Sequence, residues 1–320
     1  MKQITLGRTK AVVSAISLGT WSYGGGNTSG KIPVGWAGQR DDDSKSALIK
    51  CWNKGINHWD TADVYGDGRS EQIIGSMWKI IPRNDIFLAT KIGWNQGSFD
   101  YWYNPQHMRI QMENSLVNLK TECVDLMYLH HCGFGKQGEY FDDALDVIKH
   151  FQEEGKTRFI GLSDWNLSKI MRYINQVDPD VVQPYRNVWD DTYASSGLQK
   201  YVEKNNIGVC FFSPLMHGLL TGKYLEPATF DKGDFRNNVK AFKNQGIIDK
   251  IKENAHFLQE RFSNHPNPVL RGIVDTLISD SSNSCVLLGQ RNVDQVNIAT
   301  TLGECLSEED ANWVKQLYNH

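Results

Sequence analysis

The stretch DDDSKSALIKCWNKGINHWDTADVYGDGRSEQIIGSMWK, residues 41–79, holds one full turn of the pattern that decides the fold. Residues 43–54 read as an amphipathic helix, and Gly55 follows where a chain leaving a helix needs a left-handed residue. A short apolar run ending near Trp59 reads as a strand, the polar segment after it as a loop, and 69–79 as the next helix. Outward from this unit the alternation continues. Strands are expected to end near Leu18, Trp59, Ala89, Leu129, Leu162, Gln183, Phe211 and Leu288, with helices at 43–54, 69–79, 105–120, 141–153, 166–175, 196–205, 247–262 and 292–302. A hairpin around Ile4 and Val12 precedes them. Alternating strand–helix units require parallel strands with right-handed crossovers, and eight of them close into a (β/α)8 TIM barrel of the α/β class. The open alternative, a doubly wound sheet, would announce a dinucleotide by G-x-G-x-x-G. Neither GTWSYGGG at 19–26 nor GDGRS at 66–70 has that spacing.

The chain has 320 residues, a formal net charge of −3 and 40% hydrophobic residues, so length alone permits one domain or two. Eight units favour one, residues 1–320. Near-neutral charge argues against nucleic acid or an anionic membrane as partner. The first residues lack the apolar run of a secretory signal, and no stretch approaches a membrane span, so a cytoplasmic protein is expected. The six cysteines show no CxxC or CxxH spacing, which points to neither a disulfide framework nor a metal site. Tyr23 to Asp41 is long and Gly-rich around Trp36, and reads equally as a loop or as a lid over a substrate.

On a barrel, polar residues at the C-terminal strand ends converge on one mouth. Asp60 follows INHW, Tyr65 lies five residues on, Lys91 follows IFLAT and His130 follows DLMYL. Together they form a proton-transfer set. A phenol with a pKa of about 10 is a poor acid and base near neutrality, and a nearby ammonium brings it down. Lys91 supplies the cation, Asp60 holds Lys91 charged, and a neutral His130 hydrogen-bonds a carbonyl oxygen. His131 competes with His130 for that role.

These residues resemble the aldo-keto reductase superfamily. The matching stretches are LGTW at 18–21, GINHWDTADVYGDGRSE at 55–71, ATKIG at 89–93, NSLVNLKTECVDLMYLH at 114–130, GKTRFIGLSDWN at 155–166, FFSPLMHGLLTGKY at 211–224 and LLGQR at 287–291. The resemblance implies a barrel that binds NADP(H), with NAD(H) as the second option, and no metal. It makes Tyr65 the general acid/base, Asp60 and Lys91 its tuning pair and, through D-L-x-x-x-H counted from Asp125, His130 the residue that orients substrate. Ser163 and Gln183 correspond to carboxamide contacts, Phe212 to a ring stacked on nicotinamide, and Ser213, Leu215 and Gly218 to a pyrophosphate loop. Lys223 and Arg236 correspond to a 2′-phosphate site and Gln295 to an adenine contact, while Arg291 reads either as a phosphate contact or as a cap on the last strand. Gly19, Thr20, Trp21, Asp164, Pro214 and Gly289, with Asp60 again, belong to the cofactor's surroundings by the same resemblance.

Three positions depart from the family pattern. Asp164 replaces the usual Asn, Ile298 and Ala299 replace Glu-Asn beside the adenine, and Arg186 stands where an aromatic residue is common, which would alter the active-site rim. The implied activity is reduction of an aldehyde or ketone, or oxidation of an alcohol or sugar; Trp21, Trp94 and Trp36 read equally as an apolar substrate wall or as packing within the loops. The other class is a regulatory partner resembling potassium-channel β subunits, which bind NADPH.

Overall fold

The computed structural model describes residues 1–29 and 32–319. Its strands are β1 (Gln3–Thr5), β2 (Val12–Ser14), β3 (Ile16–Gly19), β4 (Thr28–Ser29), β5 (Ile32–Pro33), β6 (His58–Asp60), β7 (Phe87–Ile92), β8 (Val124–Leu129), β9 (Thr157–Asp164), β10 (Val181–Pro184), β11 (Gly208–Phe211) and β12 (Ser284–Gly289). Strands β3 and β6 to β12 close a parallel barrel in chain order, β12 pairing back onto β3. This is the expected (β/α)8 architecture. The buried runs FLATKI and VDLMYL show why the centre holds, since strands covered on both faces need near-continuous apolar sequence.

The helices are α1 (Asp41–Asn53), α2 (Arg69–Gly75), α3 (Pro105–Leu119), α4 (Phe141–Glu153), α5 (Leu167–Val177), α6 (Thr192–Ser195), α7 (Leu198–Lys204), α8 (Gln245–Arg261), α9 (Pro268–Ser279), α10 (Val293–Ala299) and α11 (Glu308–Tyr318). Three of them lie outside the sequence reading, the single turn α6 and the longer α9 and α11. The link from β11 to β12 contains α9 as well as α8, and α11 follows the barrel. Helix α9 lies between β12, α8 and α11 and is buried through Gly272–Ile278, its polar residues included. Pro266 and Pro268, which suggest a loop, instead precede and open the helix, where a missing N–H costs nothing.

The β1–β2 hairpin lies at the N-terminal end of the barrel. Ile4 faces Val13, and Leu6 and Val13 pack with Phe87, Leu126, Tyr128 and Val181. At the other end, residues 21–29 and 32–38 lie across the mouth. The Trp21–Gly24 3-10 turn and the β4–β5 pair are followed by contacts with a distant loop. Phe235 N donates to Gly35 O at 2.9 Å, Gly35 N to Gly233 O at 3.1 Å, and Asn238 Nδ2 to Pro33 O at 2.9 Å. No helix among the described residues is long and apolar enough to cross a membrane.

Candidate active site

Strand β6 ends on Asp60, and the loop behind it returns Tyr65 over the barrel mouth. Tyr65 N donates to Ala62 O at 3.2 Å, and Ser70 N donates to Tyr65 O at 3.1 Å. Two glycines allow this return. A Cβ on Gly24 would stand 2.5 Å from the Tyr65 carbonyl carbon, and one on Gly66, whose φ is +67°, would stand 2.3 Å from Gly24 O.

Lys91 reaches the same point from β7. Its Nζ donates to Asp60 Oδ1, to Thr61 O at 2.7 Å and to Tyr65 Oη at 3.2 Å, and only 1% of the residue is exposed. Gln183 Nε2 donates to Asp60 Oδ2 at 2.8 Å, so both carboxylate oxygens are engaged. Burial opposes the Lys91 charge, but Asp60 and Tyr65 more than offset this and hold its pKa above the ordinary value. The sequence argument expects Lys91 to bring the Tyr65 phenol down. The structure gives the opposite net direction: burial raises the phenol by more than Lys91 lowers it, and Asp60 adds to the rise. Tyr65 is therefore a neutral phenol at physiological pH in the structure described.

His130, directly after β8, turns toward Tyr65 with ring centroids 5.8 Å apart, and Trp94 packs edge-on against it at 5.2 Å. Burial, followed by the charge of Lys91, holds its pKa well below the usual histidine value, so the ring is neutral. Its Nδ1 is buried without a partner. His131 faces elsewhere: Gly133 N donates to its Nδ1 at 2.9 Å, and its ring packs on Trp102.

A cavity of about 430 Å³ opens above Tyr65, a size suited to a small-molecule site. Of the sequence-derived site residues, Gly19, Trp21, Asp60, Tyr65, His130, Ser163, Gln183, Phe212, Ser213, Pro214, Leu215, Gly218, Lys223, Arg236, Gly289, Arg291 and Gln295 line it. Trp36 and Trp94 line it as well. Lys91 lies beneath the floor. Thr20 and Asp164 do not reach the wall. Thr20 Oγ1 instead donates to Asp60 O at 2.8 Å, while Asp164 accepts from Cys132 N and Asn166 N, both at 2.7 Å. An Asp at 164 thus ties two loops through its acceptor oxygens. Arg186 is also absent from the rim. Its guanidinium is buried against Asp280 at 2.8 Å.

The cations at the far end are not equivalent. Arg236 gives its fork to the fully buried Asp234, Nε to Oδ1 at 2.9 Å and Nη2 to Oδ2 at 2.7 Å. Its guanidinium lies between Trp36 and Phe230, 4.4 and 4.0 Å from the ring centres. Arg291 donates to Gln39 Oε1 at 2.8 Å and Ala37 O at 3.2 Å. Lys223 has no carboxylate partner among the described residues. Gln295 Oε1 accepts from Arg291 N at 2.8 Å while Asn292 Oδ1 caps Gln295 N at 3.0 Å, leaving the Gln295 amide N–H groups free.

Several wall residues went unassigned in the sequence. His217, Trp165, Ser22 and Thr221 face the cavity, and Asp234 sets the state of Arg236. His217 sits at φ +59° beside Met216 and Gly218, which are also left-handed. Burial and the charge of Arg236 bring its pKa down to about 4. Only the position of Trp165, one residue beyond a strand end, offers a sequence signal. Whether the residues present suit a nicotinamide dinucleotide can be judged from their polar atoms. Ser213 Oγ, Ser22 Oγ, Trp36 Nε1 and His130 Nδ1 are buried without partners in residues lining this cavity. Buried polar atoms at native sites are normally paired, so this wall fits a polar ligand.

The chain belongs to the Aldo/keto reductase family, whose model matches residues 15–318. It is thereby an NAD(P)H-dependent oxidoreductase acting on carbonyls or alcohols. It is 26% identical over 314 residues to an aldo-keto reductase of Bacillus subtilis (strain 168), covering 97% of this chain and 91% of that protein. The NADH-specific methylglyoxal reductase of Escherichia coli (strain K12) is 26% identical over 332 residues, covering 99% and 98%. Among solved structures, the glycerol dehydrogenase of Gluconobacter oxydans superposes with a TM-score of 0.82 at 26% identity, covering 98% of this chain and 94% of that one.

Proposed function

We propose that the protein reduces a small aldehyde or ketone with Tyr65 as proton donor, and that it runs the reverse oxidation of an alcohol or sugar with Tyr65 as base. The observation that carries this reading is the phenol 3.2 Å from a buried ammonium that is itself paired to Asp60, on the floor of a cavity shared with a neutral His130. A nicotinamide dinucleotide, when bound, supplies or accepts the hydride. Ser163 and Gln183 would hold its carboxamide, Phe212 its ring, Ser213 to Gly218 its pyrophosphate, and Gln295 its adenine.

The protein's own residues handle the proton. Burial keeps Tyr65 protonated before reaction, the state a proton donor needs. As the proton leaves Oη, the Lys91 ammonium neutralises the phenolate, and Asp60 keeps that ammonium in place. His130 donates a hydrogen bond to the substrate oxygen and fixes it within reach of Oη. Trp21, Trp36 and Trp94 exclude water and favour substrates with an apolar portion.

Both dinucleotides suit the far end of the cavity. Lys223 favours a 2′-phosphate, but Asp234 already occupies the fork of Arg236, so NADPH gains less from that arginine than the sequence suggests. The test is Tyr65→Phe. It should lose turnover by about 10²-fold or more while binding NADPH and NADH as the parent does, read by fluorescence. Turnover near the parental rate would remove Tyr65 from this role. Absence of turnover by the parent protein across aldehydes, ketones and sugars, with both cofactors bound, would favour the regulatory-partner reading.

A further inference from the structure

Closing the barrel brings together three side chains whose extremes lie 227 positions apart in the chain. His58 opens β6, Cys210 lies on β11 and Cys285 on β12, where Cys210 and Cys285 stand opposite each other in register. His58 and both cysteines are fully buried, and their ligand atoms all lie within 4.8 Å of one another. Cys285 Sγ is 3.5 Å from His58 Nδ1. Zinc bonds of about 2.3 Å to sulfur and about 2.05 Å to nitrogen, at tetrahedral angles, place those two atoms about 3.6 Å apart. Ser17 Oγ, from β3, hydrogen-bonds the same Nδ1 at 2.8 Å, and would move out to about 3.4 Å from it to serve as an oxygen donor on the same ion.

We propose that His58 Nδ1, Cys210 Sγ and Cys285 Sγ form a structural zinc(II) site inside the barrel, with the Ser17 hydroxyl as the fourth donor. Two sulfurs and an imidazole nitrogen select a borderline-soft cation and disfavour magnesium or calcium. Charge selects the divalent ion. Once both thiols have lost their protons, two thiolates cancel Zn²⁺, whereas Cu⁺ on the same pair leaves a net negative charge in an apolar core, which is costly. Metal on Nδ1 places the ring proton on Nε2, an atom with no hydrogen-bond partner, and the ring packs edge to face on Phe87 at 5.2 Å.

None of the three ligands lines the catalytic cavity, so the ion acts on the fold and not on substrate. Leu6 and Val13 pack with Cys210 and Cys285 in one buried cluster, so the hairpin end of the barrel covers the site. Zinc therefore enters before that end closes and leaves only on unfolding. The ion ties β6 to β11 and β12 across the β3 seam, where the last strands close on the first.

The test uses the full chain purified under reductant. Elemental analysis should find about one zinc per chain, retained against a chelator in the folded state and released in guanidinium. Refolding with Co²⁺ should give about one cobalt per chain with a thiolate-to-cobalt absorption band. Cys210→Ala and Cys285→Ala should each lose the metal and the band. Should these variants fail to fold, the parent protein still decides. Less than about a tenth of a metal per chain, both as isolated and after refolding with Co²⁺ to a native circular dichroism spectrum, overturns the proposal. So does a Cys210–Cys285 disulfide found by peptide mapping of the unreduced protein, and so does full metal content in a folded double-alanine variant.

Discussion

Replacing Lys91 by Met removes the charge beneath Tyr65 and keeps much of the side chain's volume. The ammonium lies 3.2 Å from Tyr65 Oη. At an effective dielectric constant of about 20, a unit charge at that distance is worth about 5 kcal/mol to a phenolate. The proton has only partly left at the transition state, and Asp60 opposes the phenolate. Taking about half of that energy as reaching the barrier gives about 2.5 kcal/mol, or about a 70-fold lower kcat. Lys91→Met also strands the buried Asp60 carboxylate with Gln183 as its remaining side-chain donor, a loss of about 3–5 kcal/mol in stability. The double variant Asp60→Asn/Lys91→Met removes both charges and separates the two effects. It should recover most of the urea stability and only that part of the rate which the stranded Asp60 charge costs, leaving turnover well below the parent's. The assay is steady-state turnover against pH in both directions, with urea unfolding alongside. In the oxidation direction, where Tyr65 must lose its proton, the limb should move to higher pH. A double variant that folds like the parent and turns over within about threefold of it would refute the electrostatic role of Lys91.

Two further outcomes follow from other charged groups. Asp63 is buried beside Glu71, and burial followed by that neighbour raises its pKa to about 8. The folded state therefore holds a proton that the unfolded chain releases near pH 4, so this group's stabilising contribution falls as pH rises through the window from about 4 to 8. Asp63→Asn should flatten that fall, gaining on the parent at pH 9 relative to pH 6 in urea unfolding. Equal pH slopes would contradict the assignment. Asp234→Asn should free the Arg236 fork and improve NADPH binding relative to NADH by about tenfold, read as two dissociation constants by fluorescence. An unchanged ratio would place Arg236 outside the 2′-phosphate site.

The barrel was legible because its repeating unit is local. A helix with a polar face, a glycine such as Gly55 and a short apolar strand each leave a pattern within about ten residues. Helix α9 carries the same helical period, with apolar pairs at 269/270, 273/274 and 277/278, but Pro266 and Pro268 at its start make the segment read as a loop. Asp60, Tyr65, Lys91 and His130 could be found because strand ends on a barrel share one mouth, so position along a strand already implies position in space. Side-chain direction does not follow from that rule. Thr20 and Asp164 lie at the same level and turn away to hold the backbone of Asp60, Cys132 and Asn166. The Tyr65 phenol was expected low because an ammonium is a local, nameable neighbour. Burial is the sum of everything around it, and it won.

By itself the sequence determined the number of strand–helix units, their parallel order and the acid, cation and imidazole at the strand ends, since each rests on spacing within a short segment. The tertiary structure alone decided which charges are spent. Asp234 takes the fork of Arg236, Asp280 takes Arg186, and neither pairing follows from spacing because hydrogen-bond geometry depends on how loops close over the mouth. It also decided that His58, Cys210 and Cys285 meet. Cysteines without a CxxC spacing suggest no metal site, but a closed barrel makes its last strands neighbours of its first, and separation along the chain no longer measures distance.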